Sequence, residues 1–85
     1  MANKMKKKIY FKEDWNRFLA EDGKHKRYCC EIFWKKHRWW PFWKKMDGTF
    51  DALEKNDLFL KYEEEYEVYI WDDIFSQFVP MKYLL

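Results

Sequence analysis

Glycine and proline are nearly missing from this chain, two of each in 85 residues, with a single serine, Ser76, and a single threonine, Thr49. That scarcity excludes a glycine-rich phosphate loop, a GxSxG nucleophile elbow and a serine-rich linker. The only cysteines, Cys29 and Cys30, are adjacent. Neighbouring cysteines rarely meet disulfide geometry, so the sequence predicts two reduced thiols and not a stapled secreted scaffold. No apolar run approaches the ~20 residues of a membrane-spanning helix. The Lys-rich opening does not resemble a signal peptide either, because Ile9-Tyr10-Phe11 runs straight into Lys12-Glu13-Asp14, and none is expected. The expectation is a cytoplasmic protein with no membrane partner.

What is present in excess is aromatic and charged. Aromatic residues make up 24 % and charged residues 38 % of the chain. A chain of this length is predicted to form one domain, residues 1–85, and a domain so small buries only roughly 60–65 % of its unfolded surface. Rings that bury about 150–250 Å² each offset that limit, so the core is expected to be rich in aromatics. Disorder is not expected from such a composition.

The net charge of +2 conceals a split. Through Lys45 there are 14 Lys and Arg against 5 Asp and Glu, a balance of +9; from Met46 onward there are 3 against 10, a balance of −7. Asymmetry of this kind points to nucleic acid or to an acidic surface facing a partner, unless the halves neutralise each other on folding.

Alternation and turn signals predict an α+β fold: a mostly antiparallel sheet of about four or five strands with two short helices. Lys6 to Lys12 reads as a strand. Glu13 to Glu21 reads as a helix, with Trp15, Phe18 and Leu19 on one face and Gly23 just past its end. Lys26 to Lys36 fits either period, and its aromatic and β-branched residues favour a strand. Pro41 restricts Arg38 to Lys45 to a loop or an edge strand, and Asp47-Gly48 marks a turn. Asp51 to Asn56 reads as one helical turn. Leu58 to Tyr62 and Tyr66 to Trp71 read as strands, the second with Tyr66, Val68 and Ile70 opposite Glu67, Tyr69 and Trp71. A closing helix capped by Asp72 or Asp73 is predicted to bury Ile74, Phe75, Phe78 and Val79 before Pro80.

The most informative segment is Lys35-Lys36-His37-Arg38-Trp39-Trp40-Pro41-Phe42-Trp43-Lys44-Lys45, which interleaves cations with rings. Lys and Arg neutralise phosphates and release counterions, while flat rings give stacking platforms worth about 1–3 kcal/mol per base. Unpaired bases reach such rings, so single-stranded or folded RNA is the expected ligand. The candidate RNA-binding residues are Lys24, Lys26, Arg27, Lys35, Lys36, His37, Arg38, Trp39, Trp40, Lys44 and Lys45, with Lys4, Lys6, Lys7 and Lys8 as a possible extension. The competing account makes the rings core. Adjacent Trp39 and Trp40 on a strand face opposite ways, so one is expected to be an exposed platform and the other core.

Two catalytic or metal readings are weaker. His25, Cys29, Cys30 and His37 lack CxxC spacing, and adjacent cysteines are poor tetrahedral partners. His25 and His37 have the residue type for acid–base cleavage of RNA, as any two histidines do. No catalytic residue, metal ligand or cofactor is therefore assigned. Glu63-Glu64-Glu65-Tyr66-Glu67 is the acidic counterpart: a solvated turn between strands, or carboxylates (Glu63, Glu64, Glu65, Glu67) presented to a basic protein.

With its basic–aromatic stretch RYCCEIFWKKHRWWPFWKK beside LKYEEEYEVYIWDD, the chain resembles the small accessory proteins with which T4-like bacteriophages disarm host defences. The likeness covers the chain in character and no part of it by motif. Among those proteins it is most similar to the kind that inhibits a ToxN-type RNA-cleaving toxin by binding toxin and RNA together. That resemblance implies RNA on the basic half and a host toxin against the acidic half. The alternative is an inhibitor that uses the acidic half on a basic host enzyme without binding nucleic acid.

Overall fold

In the computed structural model, which describes residues 6–22 and 25–84, the chain folds as a five-stranded sheet with one α-helix. The strands are β1 (Lys7–Asp22), β2 (His25–Lys35), β3 (Lys44–Lys45), β4 (Tyr66–Asp72) and β5 (Gln77–Pro80), and the helix α1 (Ala52–Glu63) precedes β4. A 3-10 turn, Met81–Tyr83, follows β5. The sheet order is β3-β2-β1-β4-β5, so the first strand lies at its centre. Three of the four pairings are antiparallel, and β1 with β4 is parallel, which makes the sheet mixed and not purely antiparallel. The parallel pair follows from α1, because a helix crossing one face returns the chain in the same direction.

The helix packs on the face formed by Ile9, Phe11, Ile32, Val68 and Ile70. Phe59 meets Phe11 at a ring separation of 5.0 Å, and Tyr62 meets it edge-on at 5.3 Å. Met81 closes the same cluster. Alternation in β4 holds as expected, with Val68 and Ile70 buried beneath the helix and Tyr66 packed at its margin.

Three expected elements differ. Glu13 to Glu21 is not a helix: β1 continues to Asp22 opposite His25, and its register to β2 shifts between Asp14 and Phe18. That bulge breaks the period-two pattern and spaces the apolar residues three apart, as a helix would. Gly23, expected to end that helix, lies outside the described residues, as do the side chains of Phe18 and Leu19. Leu58 to Tyr62 is not a strand but the second half of α1. Asp51 caps it, accepting from the Glu54 N–H at 2.8 Å while Glu54 reaches back to the Asp51 N–H at 3.2 Å. This reciprocal box nucleates a full helix where a single turn was expected. The closing helix is absent among the described residues. Asp72 does accept from the N–H groups of Ile74 and Phe75, but the chain then turns through Ser76 (φ +49°) into β5. Ile74 and Phe75 are exposed on that turn, Phe75 at 71 %. The described chain thus has one α-helix and not two.

The Pro41 segment is the loop expected. It leads to the two-residue edge strand β3, and Cys30 and Phe50 then exchange backbone hydrogen bonds of 2.8 and 2.9 Å. Gly48, at φ +86°, provides the left-handed residue that this turn requires.

Candidate nucleic-acid interface

The sheet face turned away from α1 carries the interface. Pairing sets which residues share it: Tyr10 lies opposite Lys35 and Tyr69, Lys12 opposite Phe33, and Trp71 opposite Phe78. Tyr10 is buried, stacked on Tyr69 at 5.3 Å and edge-on to Phe78 at 4.9 Å. Strand pleating therefore sets cations and rings side by side, with the carboxylates of Glu31 and Glu67 on the same face.

The loop from Lys36 to Trp43 folds over the edge of this face. Lys35 anchors it by donating to the Trp40 carbonyl at 2.7 Å. The Lys35 ammonium lies 4.4 Å from the centre of the Trp43 ring and 5.6 Å from that of Phe78. Lys12, from β1, approaches the same Trp43 ring at 4.9 Å. Burial, with the nearby Lys12 charge adding to it, holds the Lys35 ammonium below its ordinary pKa. Arg38 lies 5.5 Å from the Trp39 ring and 5.9 Å from Phe78.

Trp39 and Trp40 occupy a turn, where strand alternation does not apply, and both are exposed, at 88 % and 53 %. Neither is core, which corrects the expected division between them. Trp40 rests edge-on against exposed Phe42 at 5.7 Å.

Three cavities surround the loop. One of about 530 Å³ lies between Lys12, Lys35, Trp43 and the β4–β5 hairpin. A second of about 620 Å³ lies between the loop and Lys7, Lys8 and Tyr66. Arg38 and Trp39 line both. The third, about 210 Å³, is enclosed by Trp34, Lys36, Trp40 and Lys44. No carboxylate is among the described residues lining any of them.

Lys35, Lys36, His37, Arg38, Trp39 and Trp40 are thus brought together, and Lys44 joins them at the edge of the sheet beside Trp34, which packs on the α1 side. Lys44 sits 5.3 Å from the Trp34 ring, whereas Lys45 is drawn into an ion pair with Glu31 at 2.5 Å. Lys24 and Lys4 lie outside the described residues, as do the side chains of Lys26, Arg27 and His25. The backbone of Lys26 and Arg27 opens β2, roughly 30 Å along the strand from Lys35 at ~3.3 Å per residue. Of the N-terminal lysines, Lys7 and Lys8 line a cavity, while Lys6 donates to the Glu63 carbonyl at 2.9 Å. Lys12, Tyr69, Trp71 and Phe78 were not assigned from sequence. Their signal is period-two alternation, which places Lys12 beside Tyr10, and Trp71 beside Tyr69.

The acidic run ends α1 and opens β4, so it is a helix-to-strand turn. Glu63 accepts from the Val68 N–H at 3.2 Å, and Glu67 accepts from the Tyr69 hydroxyl. Glu64 and Glu65 are exposed. The ion pairs Lys45–Glu31 and Lys55–Glu13 do not join the basic cations of the first 45 residues to this run. Cys29 and Cys30 are free and buried, and burial, reinforced by Glu13, pushes the Cys30 thiol up to about 12. Among the described residues, no three His, Cys, Asp or Glu side chains converge as metal ligands, and no helix is long and apolar enough to cross a membrane.

Compared with known families, characterised proteins and solved structures, the chain matches none.

Proposed function

We propose that this chain is a non-enzymatic binder of single-stranded or looped RNA, engaged by the sheet face opposite α1 and the loop folded over it. One observation carries the reading: cations and rings stand side by side on that face, and the described lining of the two cavities between it and the loop contains no carboxylate. Phosphates gain from cations left uncompensated, and bases gain from rings already in place. Exposed Trp39, Trp40 and Phe42 extend the platform beyond the sheet.

In the setting suggested by its likeness to phage counter-defence proteins, the chain acts stoichiometrically in the host cytoplasm against an RNA-cleaving toxin, holding RNA on the basic face. Glu64 and Glu65 are then the carboxylates placed to meet the toxin, since Glu63 and Glu67 already serve the fold. The inhibitor that uses only its acidic half is disfavoured for the same reason.

Fluorescence anisotropy with a labelled single-stranded octanucleotide tests the reading. Affinity is expected to fall steeply between roughly 50 and 200 mM salt, as counterion release requires. Absent binding at low salt, or affinity flat across that range, overturns it.

A further inference from the structure

The cavity beneath Arg38 differs chemically from the rest of the surface. Two ammonium groups, Lys12 and Lys35, approach one ring, that of Trp43, from adjacent strands. Arg38 and Lys35 approach a second, Phe78. A ring compensates a cation only in part. Lys35 has three donors, and the Trp40 carbonyl takes one. Glu67, on the same sheet face, accepts from the Tyr69 hydroxyl and does not line this cavity. An anion entering here therefore meets three cations held against rings, of which Lys35 is buried.

The walls are not those of a simple anion hole. Trp71 and Phe78 meet edge-on at 5.1 Å and form an angled apolar wall, and Ser76 and Gln77 line the same space. Rings of this kind suit a base, and the polar groups suit its edge.

We propose that this cavity seats one unpaired nucleotide, its phosphate among Lys12, Lys35 and Arg38 and its base against Trp71 and Phe78. The inference rests on the RNA-binding reading and gives that face its ligand unit, a nucleoside monophosphate, whether within a strand or free. Recognition then needs a base out of its duplex, because the faces of a stacked base are already covered by its neighbours.

The full chain is titrated with uridine 5′-monophosphate, uridine, inorganic phosphate, and single- and double-stranded octanucleotides, read by the indole N–H resonances. The monophosphate is expected to bind tighter than uridine or phosphate alone, and the single strand tighter than the duplex. Lys12→Gln and Arg38→Gln are each expected to weaken the monophosphate about tenfold or more, the scale of a charge-assisted hydrogen bond. Lys61→Gln on α1 is expected to leave it unchanged. Arg38 is exposed, so its variant reads the site even where Lys12→Gln perturbs folding. Monophosphate no tighter than phosphate, or insensitive to both variants, overturns the proposal. A salt-sensitive single strand with no monophosphate binding overturns this seat and leaves the RNA reading standing. Monophosphate binding that both variants weaken, with no strand bound, supports the seat and overturns the RNA reading.

Discussion

Lys35 donates to the carbonyl of Trp40, 2.7 Å away, so the last residue of β2 holds the chain five residues further on. The bond fixes the turn that exposes Trp39, and it holds an ammonium on the sheet face against two rings. Lys35→Met keeps the apolar stem and removes both effects. RNA affinity is expected to fall although Lys35 is buried, and amide exchange is expected to quicken in residues 36–40.

The same lysine gives a pH signature. Its folded pKa lies below the ordinary 10.5, by burial first and Lys12 second. In the window just below 10.5 the unfolded chain therefore binds more protons than the folded one, and this group makes stability rise with pH. Urea midpoints at pH 8, 9 and 10 are expected to shift in favour of the parent over Lys35→Met. A constant gap between the two would remove Lys35 from the account.

Cys30 works in the opposite direction. Burial, then Glu13, raises its thiol from 9.0 to about 12. The folded state holds that proton more tightly, so its contribution is complete below pH 9 and is lost as pH rises toward 12. At ~1.4 kcal/mol per pKa unit the loss is a few kcal/mol, large for a domain of this size. Parent protein is expected to lose more stability than Cys30→Ala between pH 9 and 11, and its native thiols are expected to resist alkylation at pH 8. Equal alkaline losses in both proteins would show another group to be responsible.

The helix and the β4–β5 turn give a contrast in stability. Phe59, 3 % exposed, is the buried residue of α1. Phe59→Ala is expected to cost about 3–5 kcal/mol, and Asp51→Ala about 1 kcal/mol through the lost cap. Phe75→Ala is expected to change the melting temperature little, because its ring is already in water. Thermal melts of the three variants check the order.

Sequence disclosed the strands whose partners lie near in the chain or whose alternation is unbroken. Tyr66–Asp72 kept its pattern, and Pro41 announced the loop. The failures share a cause: local spacing imitated the wrong period. The bulge after Asp14 put Trp15 and Phe18 at helical spacing, and Asp72 capped two N–H groups as a helix start does before the chain turned at Ser76. In α1 the reverse held, since Asp51 and Glu54 formed a capping box that outweighed the strand-like residues Leu58 to Tyr62. The cationic loop was legible as composition. Its extension to Lys12, Trp71 and Phe78 was not, because it depends on β1 and β4 being neighbours, a pairing that only the crossover by α1 creates.

Stacking and charge separate most cleanly at the loop. Trp39→Ala and Trp40→Ala are both expected to fold, since neither ring is buried. Each is expected to weaken single-stranded RNA by about 1–3 kcal/mol while leaving the salt slope intact, because rings release no counterions. Lys36→Gln with Arg38→Gln is expected to act differently: affinity falls and the slope of log K against log salt flattens by about 0.7 for each phosphate no longer neutralised. Lys45 supplies the internal control. It is the neighbour of Lys44 in sequence, but its ammonium is held by Glu31, so Lys45→Gln is expected to change the slope less than Lys44→Gln. Anisotropy titrations over a series of salt concentrations measure all five proteins. If the Lys45 variant flattens the slope as much as the Lys36 and Arg38 pair, then RNA follows net charge along the chain, and the folded arrangement of cations and rings is not what it reads.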